Sequence, residues 1–454
     1  MIERARRALV AARAGVDIAS LAALRITFGV AMCVSMLRFI AYGWVDDFFV
    51  KPTFHFKYWG FSWVEPLPAA GMHALFWALA ALAAMIAAGL LFRAASALFF
   101  LGYAYLQLID VATYINHYYL AALLALLLAA SPAHRAASID AWLRPKIAAR
   151  EVPALWLWLF RFQIGVVYTF AGLAKANADW LVHAQPLRIW LAGRTDIPVL
   201  GPVFTWPHVP LAMSWGGFLF DTFILWLLLV PRLRVAAFAV VIAFHVTTRL
   251  LFPIGMFPVI MVTSALVLFP PNWPRRIPVL RRLFEARVGA LAVCALPRAV
   301  VVAALAWAIL QVALPLRFLA YGGNVRWHEQ GMRFSWRVMV REKNGTTTFV
   351  VRRKTDGRVW HVAPRRYLTP VQERELTGQP DLILQMAHAV KADFERRGLG
   401  PVEVRADALA SLNGRRLTAL VDPDVDLGAL SDGVGRAAWI GHAPAGAPPH
   451  IRPL

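Results

Sequence analysis

Apolar segments recur nine times within the first 320 residues, and each is long enough to cross or nearly cross a lipid bilayer. Their approximate limits are 18–41, 71–92, 94–113, 118–132, 156–175, 209–230, 234–251, 255–270 and 297–318. The fourth and eighth are short, and length alone leaves open whether they cross fully. A chain built this way must close its backbone hydrogen bonds within helices, because hydrocarbon offers no partner. Composition agrees: 59% of residues are hydrophobic and 16% charged, whereas a soluble domain carries about a quarter charged residues. The expected fold is a polytopic α-helical membrane protein of about eight to nine transmembrane helices, followed by a C-terminal extracytoplasmic α+β domain.

The net charge of +21 would suit a nucleic-acid partner only if it formed a patch or stripe. Here the basic residues fall in loops between apolar segments, which is a topology signal, so no nucleic-acid partner is expected. Lys and Arg are in excess in the N-terminal arm, at Arg93, in the 131–155 loop, at Arg232 and Arg234, and in the 271–296 loop. By the positive-inside rule those loops and the N-terminus are cytoplasmic, and an odd number of spans places everything after about residue 320 outside. The start, MIERARRALVAARAGVD, lacks the short apolar core and cleavage site of a signal peptide and reads as an anchor. Cys33 and Cys294 form neither a zinc pattern nor a disulfide framework.

The domain boundaries follow: a basic cytoplasmic arm at 1–17, a transmembrane domain at 18–320, an extracytoplasmic α+β cap at 321–429 and a Gly/Ala/Pro-rich tail at 430–454 that reads as disordered. The aromatic loops at 43–70 and 176–208 suit a membrane-interface belt. In the cap, Ser335–Arg341 and Thr346–Arg353 flank Asn344-Gly345 as a hairpin, and Asp356-Gly357 turns the chain into Val359–Val362. Thr369-Pro370-Val371-Gln372 is a capping box that opens a helix ending at Gly378; a second helix covers about 382–396, and Asn413-Gly414 marks a further turn.

Against this apolar background the ionisable residues stand out, because each is costly in lipid and a candidate for function. Trp156–Trp180, WLWLFRFQIGVVYTFAGLAKANADW, carries Arg161 near its start and Lys175 at its outer end. Asn116 and His117 lie in a short outer turn, and Asp110, Arg38 and Arg249 lie at the outer ends of their spans. Asn116, His117 and Lys175 can therefore meet beneath the cap. Lys175 is either a snorkelling anchor or a base, and His117 either satisfies backbone at its turn or serves the site. Asp221 and His245, deeper in their spans, are expected to form a structural buried charge network with Arg161. No phosphate loop, His-Glu-x-x-His or nucleophile elbow is present, and no metal site is expected.

The segment FRFQIGVVYTFAGLAKANADW resembles the signature of the vitamin K-dependent γ-glutamyl carboxylases and of their bacterial horizontally transferred transmembrane (HTTM) domain relatives. Further matches follow in order: SLAALRITFG at 20–29, YINHYYL at 114–120, WGGFLFD at 215–221, FH at 244–245 and LFPIGMF at 251–257. In the soluble part, WHEQGMRFSWRVMV at 327–340 and LASLNGRRLTALVDPDVDL at 409–427 also match. The resemblance spans nearly all of 18–427.

It implies a membrane enzyme, of the carbon-carbon lyase class, that oxidises reduced vitamin K (phylloquinol or menaquinol) with O2 to the epoxide. That oxidation is coupled to CO2 addition at the γ-carbon of glutamate in a protein or peptide. The lysine matching Lys175 would deprotonate the quinol, and His117 would assist carboxylation, with Asn116 lining the site. Trp327, Trp336 and Met339 are candidates to surround the quinone ring, with a place in the cap core as their alternative. An exposed lysine is a poor base at neutral pH, and burial at a bilayer boundary disfavours its charged form. The expected location is a bacterial inner (plasma) membrane, with lipid, quinol and a Glu-containing peptide as partners. This sequence departs from the animal enzymes in having Ala174 where they have a second lysine, Gly331-Met332 in place of Leu-Tyr, and no long tail. Two alternatives remain: a quinol epoxidase or oxidase without carboxylation, and a non-enzymatic transporter or lipid-handling protein.

Overall fold

The computed structural model describes residues 2–284 and 296–449. Cys294 and the last five residues of the tail lie outside the described residues. Among the described residues, seven helices are long and apolar enough to cross a membrane: α1 (Ala19–Ala41), α2 (Ala69–Ala88), α3 (Phe92–Ile109), α5 (Ala154–Lys175), α6 (Val209–Leu229), α7 (Arg234–Leu251) and α9 (Arg298–Leu316). Two shorter apolar helices, α4 (Asn116–Ala130) and α8 (Phe257–Ala265, prolonged by a tight turn to Leu268), stand at the fourth and eighth expected segments. The chain is thus an integral membrane protein with seven full-length candidate spans.

Several helix starts are written in the sequence by proline, which fits the first turn because its missing N–H is unpaired there anyway. Pro210 opens α6 and Pro258 opens α8 in this way. Close packing between helices depends on small residues. A Cβ added to Gly172 of α5 would stand 2.7 Å from Thr222 Oγ1 and 3.1 Å from the Thr222 backbone nitrogen of α6. Gly172 therefore lets α6 approach α5 at the level of its neighbour Asp221.

Connections gather at two ends. At one, β1 (Gly15–Asp17) pairs antiparallel with β2 (Glu151–Pro153), and Arg275 binds Asp17 at 2.8 Å. Buried Arg25 donates to the carbonyls of Ile86 and Ala137 there. The other end carries the cap, a distinct C-terminal α+β domain. Its four-stranded antiparallel sheet has the order β4 (Val359–Val362), β3 (Lys343–Arg353), β5 (Val402–Leu412), β6 (Thr418–Ala419). Helices α10 (Pro370–Leu376) and α11 (Pro380–Arg396) cover it, and alternate residues of β5 face them, as a half-buried strand requires. The capping box at Thr369–Gln372 and the turns at Gly357 and Asn413-Gly414 occur as expected.

Three expectations change. Asn344-Gly345 is not a turn but part of β3, where it pairs with Ser411 and Ala410. A Cβ on Gly345 would sit 2.3 Å from Leu409 O, so this glycine serves close backbone approach between strands. Ser335–Arg341 is consequently no strand, and it descends as irregular chain towards the membrane helices. Residues 430–449 are not free: Trp327 Nε1 donates to Gly441 O at 2.7 Å, Gln330 Nε2 to Gly435 O at 2.6 Å, and Ile440 bridges to Val421. Nor is the 43–70 loop only an interfacial belt. Phe56 is buried in the cap core, and Gln385 of α11 clasps both backbone groups of Lys57, although Trp59 and Trp63 remain exposed.

Candidate functional site

Helix α5 ends at Lys175, where Asn177 caps a new short helix and turns the chain back over the helix end. Trp180 is thereby placed with its ring centroid 5.2 Å from Lys175 Nζ and anchored by an Nε1 bond to Ser214 O at 2.7 Å. Nζ donates to Asp221 Oδ2 at 2.7 Å, and lies 3.4 Å from both Ala171 O and Val338 O. Both side chains of the pair are almost wholly buried, at 6% and 10% exposure.

This arrangement revises two expectations. Lys175 is not a lone desolvated amine, because a carboxylate meets it at hydrogen-bond distance. Burial penalises both charges, while their contact offsets the penalty. Asp221 is also not the partner of Arg161. Arg161 lies fourteen residues before Lys175, about 21 Å along the helix, and donates to Val267 O at 2.7 Å and Phe269 O at 2.9 Å. There it caps the carbonyl end of α8. The expected Arg161–Asp221–His245 network does not form.

The pair closes one end of a cavity of about 420 Å3, within the range of small-molecule sites. Faces of α5, α6, α7 and α8, with Trp180 and Trp190 from the segment after α5, supply its walls, which are overwhelmingly apolar and rich in aromatic rings. Tyr168 and His245 also line it, with the Tyr168 hydroxyl 3.5 Å from His245 Nε2. Wall positions Gly216, Val240, Ala243 and Thr247 are exposed, so the cavity opens sideways between α6 and α7 onto the lipid-facing surface.

The cap contributes Val338 and Met339 to the wall. They belong to a segment in which Glu329, Phe334, Trp336 and Met339 all have positive φ, a conformation that non-glycine residues adopt only when their surroundings enforce it. The enforcement is visible. Glu329 pairs with Arg341 at 2.8 Å and with Lys343 at 3.5 Å, and Tyr114 OH accepts from the Phe334 backbone nitrogen at 2.7 Å. Burial lowers the Lys343 ammonium to about 8, against the opposing pull of Glu329.

A second lock holds the cap on the helix end. Asp179 accepts from Arg415 Nη2 at 2.6 Å and from Asn413 Nδ2 at 2.7 Å, with Arg326 at 3.8 Å. Burial alone would raise the Asp179 carboxyl, but these hydrogen bonds and cationic neighbours outweigh it and hold it below the usual range.

Of the sequence-predicted residues, the cavity gathers Lys175, Asp221, His245 and Met339. Asn116 and His117 stand outside its walls. His117 packs against Phe257 at 5.8 Å, and His245 lies 5.7 Å from the same ring. Asn116 Oδ1 accepts from Tyr114 OH at 3.1 Å. Trp327 is in the cap core, and Trp336 stacks on Tyr119 at 5.0 Å. Neither lines the cavity: Trp327 sits on a short helix packed into the cap core, and positive φ at Trp336 turns its ring onto Tyr119. Sequence reasoning missed Asp221 as the lysine's partner, Tyr168 as cavity wall and Asp179 as the cap's lock. Among the described residues no cluster of three His, Cys, Asp or Glu is placed to hold a metal.

Residues 14–273 match the family described as HTTM domain, and residues 296–445 match the family described as vitamin K-dependent gamma-carboxylase, lumenal domain. No solved structure matches the chain.

Proposed function

This chain belongs to the HTTM family, and we propose that it is a quinol-dependent carboxylase. It oxidises reduced vitamin K with O2 to the epoxide and adds CO2 at the γ-carbon of glutamate in a protein or peptide. The observation that carries this reading is the buried Lys175–Asp221 pair at the closed end of a lipid-open aromatic cavity, beneath a domain of the carboxylase lumenal type. The cavity fits the quinol: its walls suit a flat ring, and its sideways mouth suits an isoprenoid chain that stays in the bilayer. Bound reduced vitamin K supplies, on oxidation by O2, the strong base that carboxylation requires.

The side chains have defined tasks. Passing a proton along the 2.7 Å hydrogen bond to Asp221 leaves Nζ neutral, and the amine then accepts a ligand hydroxyl proton. Trp180 and Met339 bound the ring, and the cap loop at Val338 excludes water from Nζ. The cap lies on the extracytoplasmic side of a bacterial inner membrane with the N-terminus cytoplasmic, as the loop charges imply.

A second reading, quinol epoxidation without carboxylation, is favoured by the position of His117 outside the cavity walls. Purified protein in lipid nanodiscs is supplied with reduced vitamin K, O2, labelled bicarbonate and a Glu-rich peptide. Epoxide together with label in the peptide supports carboxylation, epoxide alone supports the second reading, and neither product sinks both. Lys175→Ala is expected to abolish epoxide formation, whereas His117→Ala spares epoxide more than label.

A further inference from the structure

The cavity has a second polar end that the proton transfer at Lys175 does not use. Tyr168 and Lys175 are seven residues apart on α5 and share one face, together with Ala171. Their backbones are about two turns apart, ~10.5 Å. The Lys175 head group turns back towards Ala171 O, into the same cavity that Tyr168 lines. A para-dihydroxy aromatic ring lying between them would present one hydroxyl to each.

The far end is built as a site. Tyr168 is 1% exposed and His245 2% exposed, yet both line the cavity. Phe220, Phe244 and Phe257 enclose the imidazole edge-on, with centroid distances of 5.9, 5.4 and 5.7 Å. The polar contact of Tyr168 with His245 is long, at 3.5 Å, and His245 Nδ1 is buried without a partner. An unsatisfied buried polar group is costly, and native structures retain few of them. The two groups are spare hydrogen-bonding capacity in an otherwise apolar chamber.

We infer that Tyr168 and His245 form a second ligand pole, which holds the far oxygen of an aromatic ring whose near oxygen faces Lys175. The inference rests on the quinol reading and narrows it: the cavity selects rings with oxygens on opposite edges. The Tyr168 hydroxyl makes the hydrogen bond, and His245 orients that hydroxyl. Both are positioning residues for a ligand whose chemistry occurs at the Lys175 end.

Anaerobic equilibrium binding to the full chain in nanodiscs tests this with two labelled probes, 2-methyl-1,4-naphthoquinol and 2-methyl-1-naphthol. Exclusion of O2 prevents turnover. Tyr168→Phe is expected to weaken the diol about tenfold, the worth of one good hydrogen bond, and to leave the mono-ol unchanged. His245→Phe is expected to give the same selective loss and serves as the independent variant. Equal weakening of both probes, or no change in either, overturns the second pole while leaving the quinol reading intact. Failure of the wild-type chain to bind the diol overturns the quinol reading itself.

Discussion

The Lys175–Asp221 contact makes a quantitative demand on stability as well as on chemistry. Asp221→Asn keeps the shape of the side chain but leaves an ammonium group, now 6% exposed, without its counter-charge. Breaking a buried pair from one side costs about 3–5 kcal/mol, whereas replacing both partners with apolar groups is often neutral. The single variants Asp221→Asn and Lys175→Met should each lose about that amount, and the double variant Lys175→Met/Asp221→Leu should recover most of it. The remaining Val338 and Ala171 carbonyl contacts, both at 3.4 Å, are too long to replace the carboxylate. The assay is unfolding by SDS titration in mixed micelles, run beside epoxide formation on the same preparations. Stability should return in the double variant while epoxide formation stays absent. If either single variant loses less than about 1 kcal/mol, water already solvates the pair and its burial is wrong.

Three further outcomes follow from named contacts. Lys343 is held at about 8 in the folded cap, below the usual ~10.4 for lysine. The folded state therefore binds fewer protons between those values, and cap stability should rise with pH across that window. Lys343→Met should flatten the rise in a pH series of unfolding midpoints. Asp179 is held below the usual carboxylate range, so its contribution is present above that range and is lost as pH falls through its depressed value. Asp179→Asn should loosen the cap at neutral pH and remove that acid dependence, read as hydrogen exchange in residues 413–415. Gly216→Trp is sterically free at its Cβ, with nothing within 4 Å, yet it would fill the mouth between α6 and α7. It should raise KM for a long-chain quinol several-fold more than for a chainless naphthoquinol.

The apolar runs made the membrane helices legible, because lipid forces a simple rule on backbone and side chain alike. Thr369 and Pro370 announced α10 for an equally local reason. Asn344-Gly345 misled because the same dipeptide serves a turn and a close strand contact, and only the pairing partner distinguishes them. Asp221 was visible as an expensive residue in α6. Its partner was not, because Arg161 and Lys175 lie on one helix, and the sequence does not state the level at which α6 crosses it. The small residue Gly172 was the available clue. Trp327 and Trp336 looked like ring-binding aromatics until the backbone turned both into packed cores, and positive φ at Trp336 leaves no trace in composition.

The clasp of Asp179 by Asn413 and Arg415 also bears on how the molecule is made. Ribosomes deliver Lys175 and Asp221 long before residues 338 and 413–415 exist. During that interval Lys175 lacks the Val338 carbonyl, and Asp179 lacks the Arg415 guanidinium. The wall that Val338 and Met339 supply is added only when the cap has folded and Asn413 and Arg415 grip the helix end at Asp179. Chain order thus fixes an order of assembly: the helices that carry Lys175 and Asp221 are in place before the cap residues that complete the site around them.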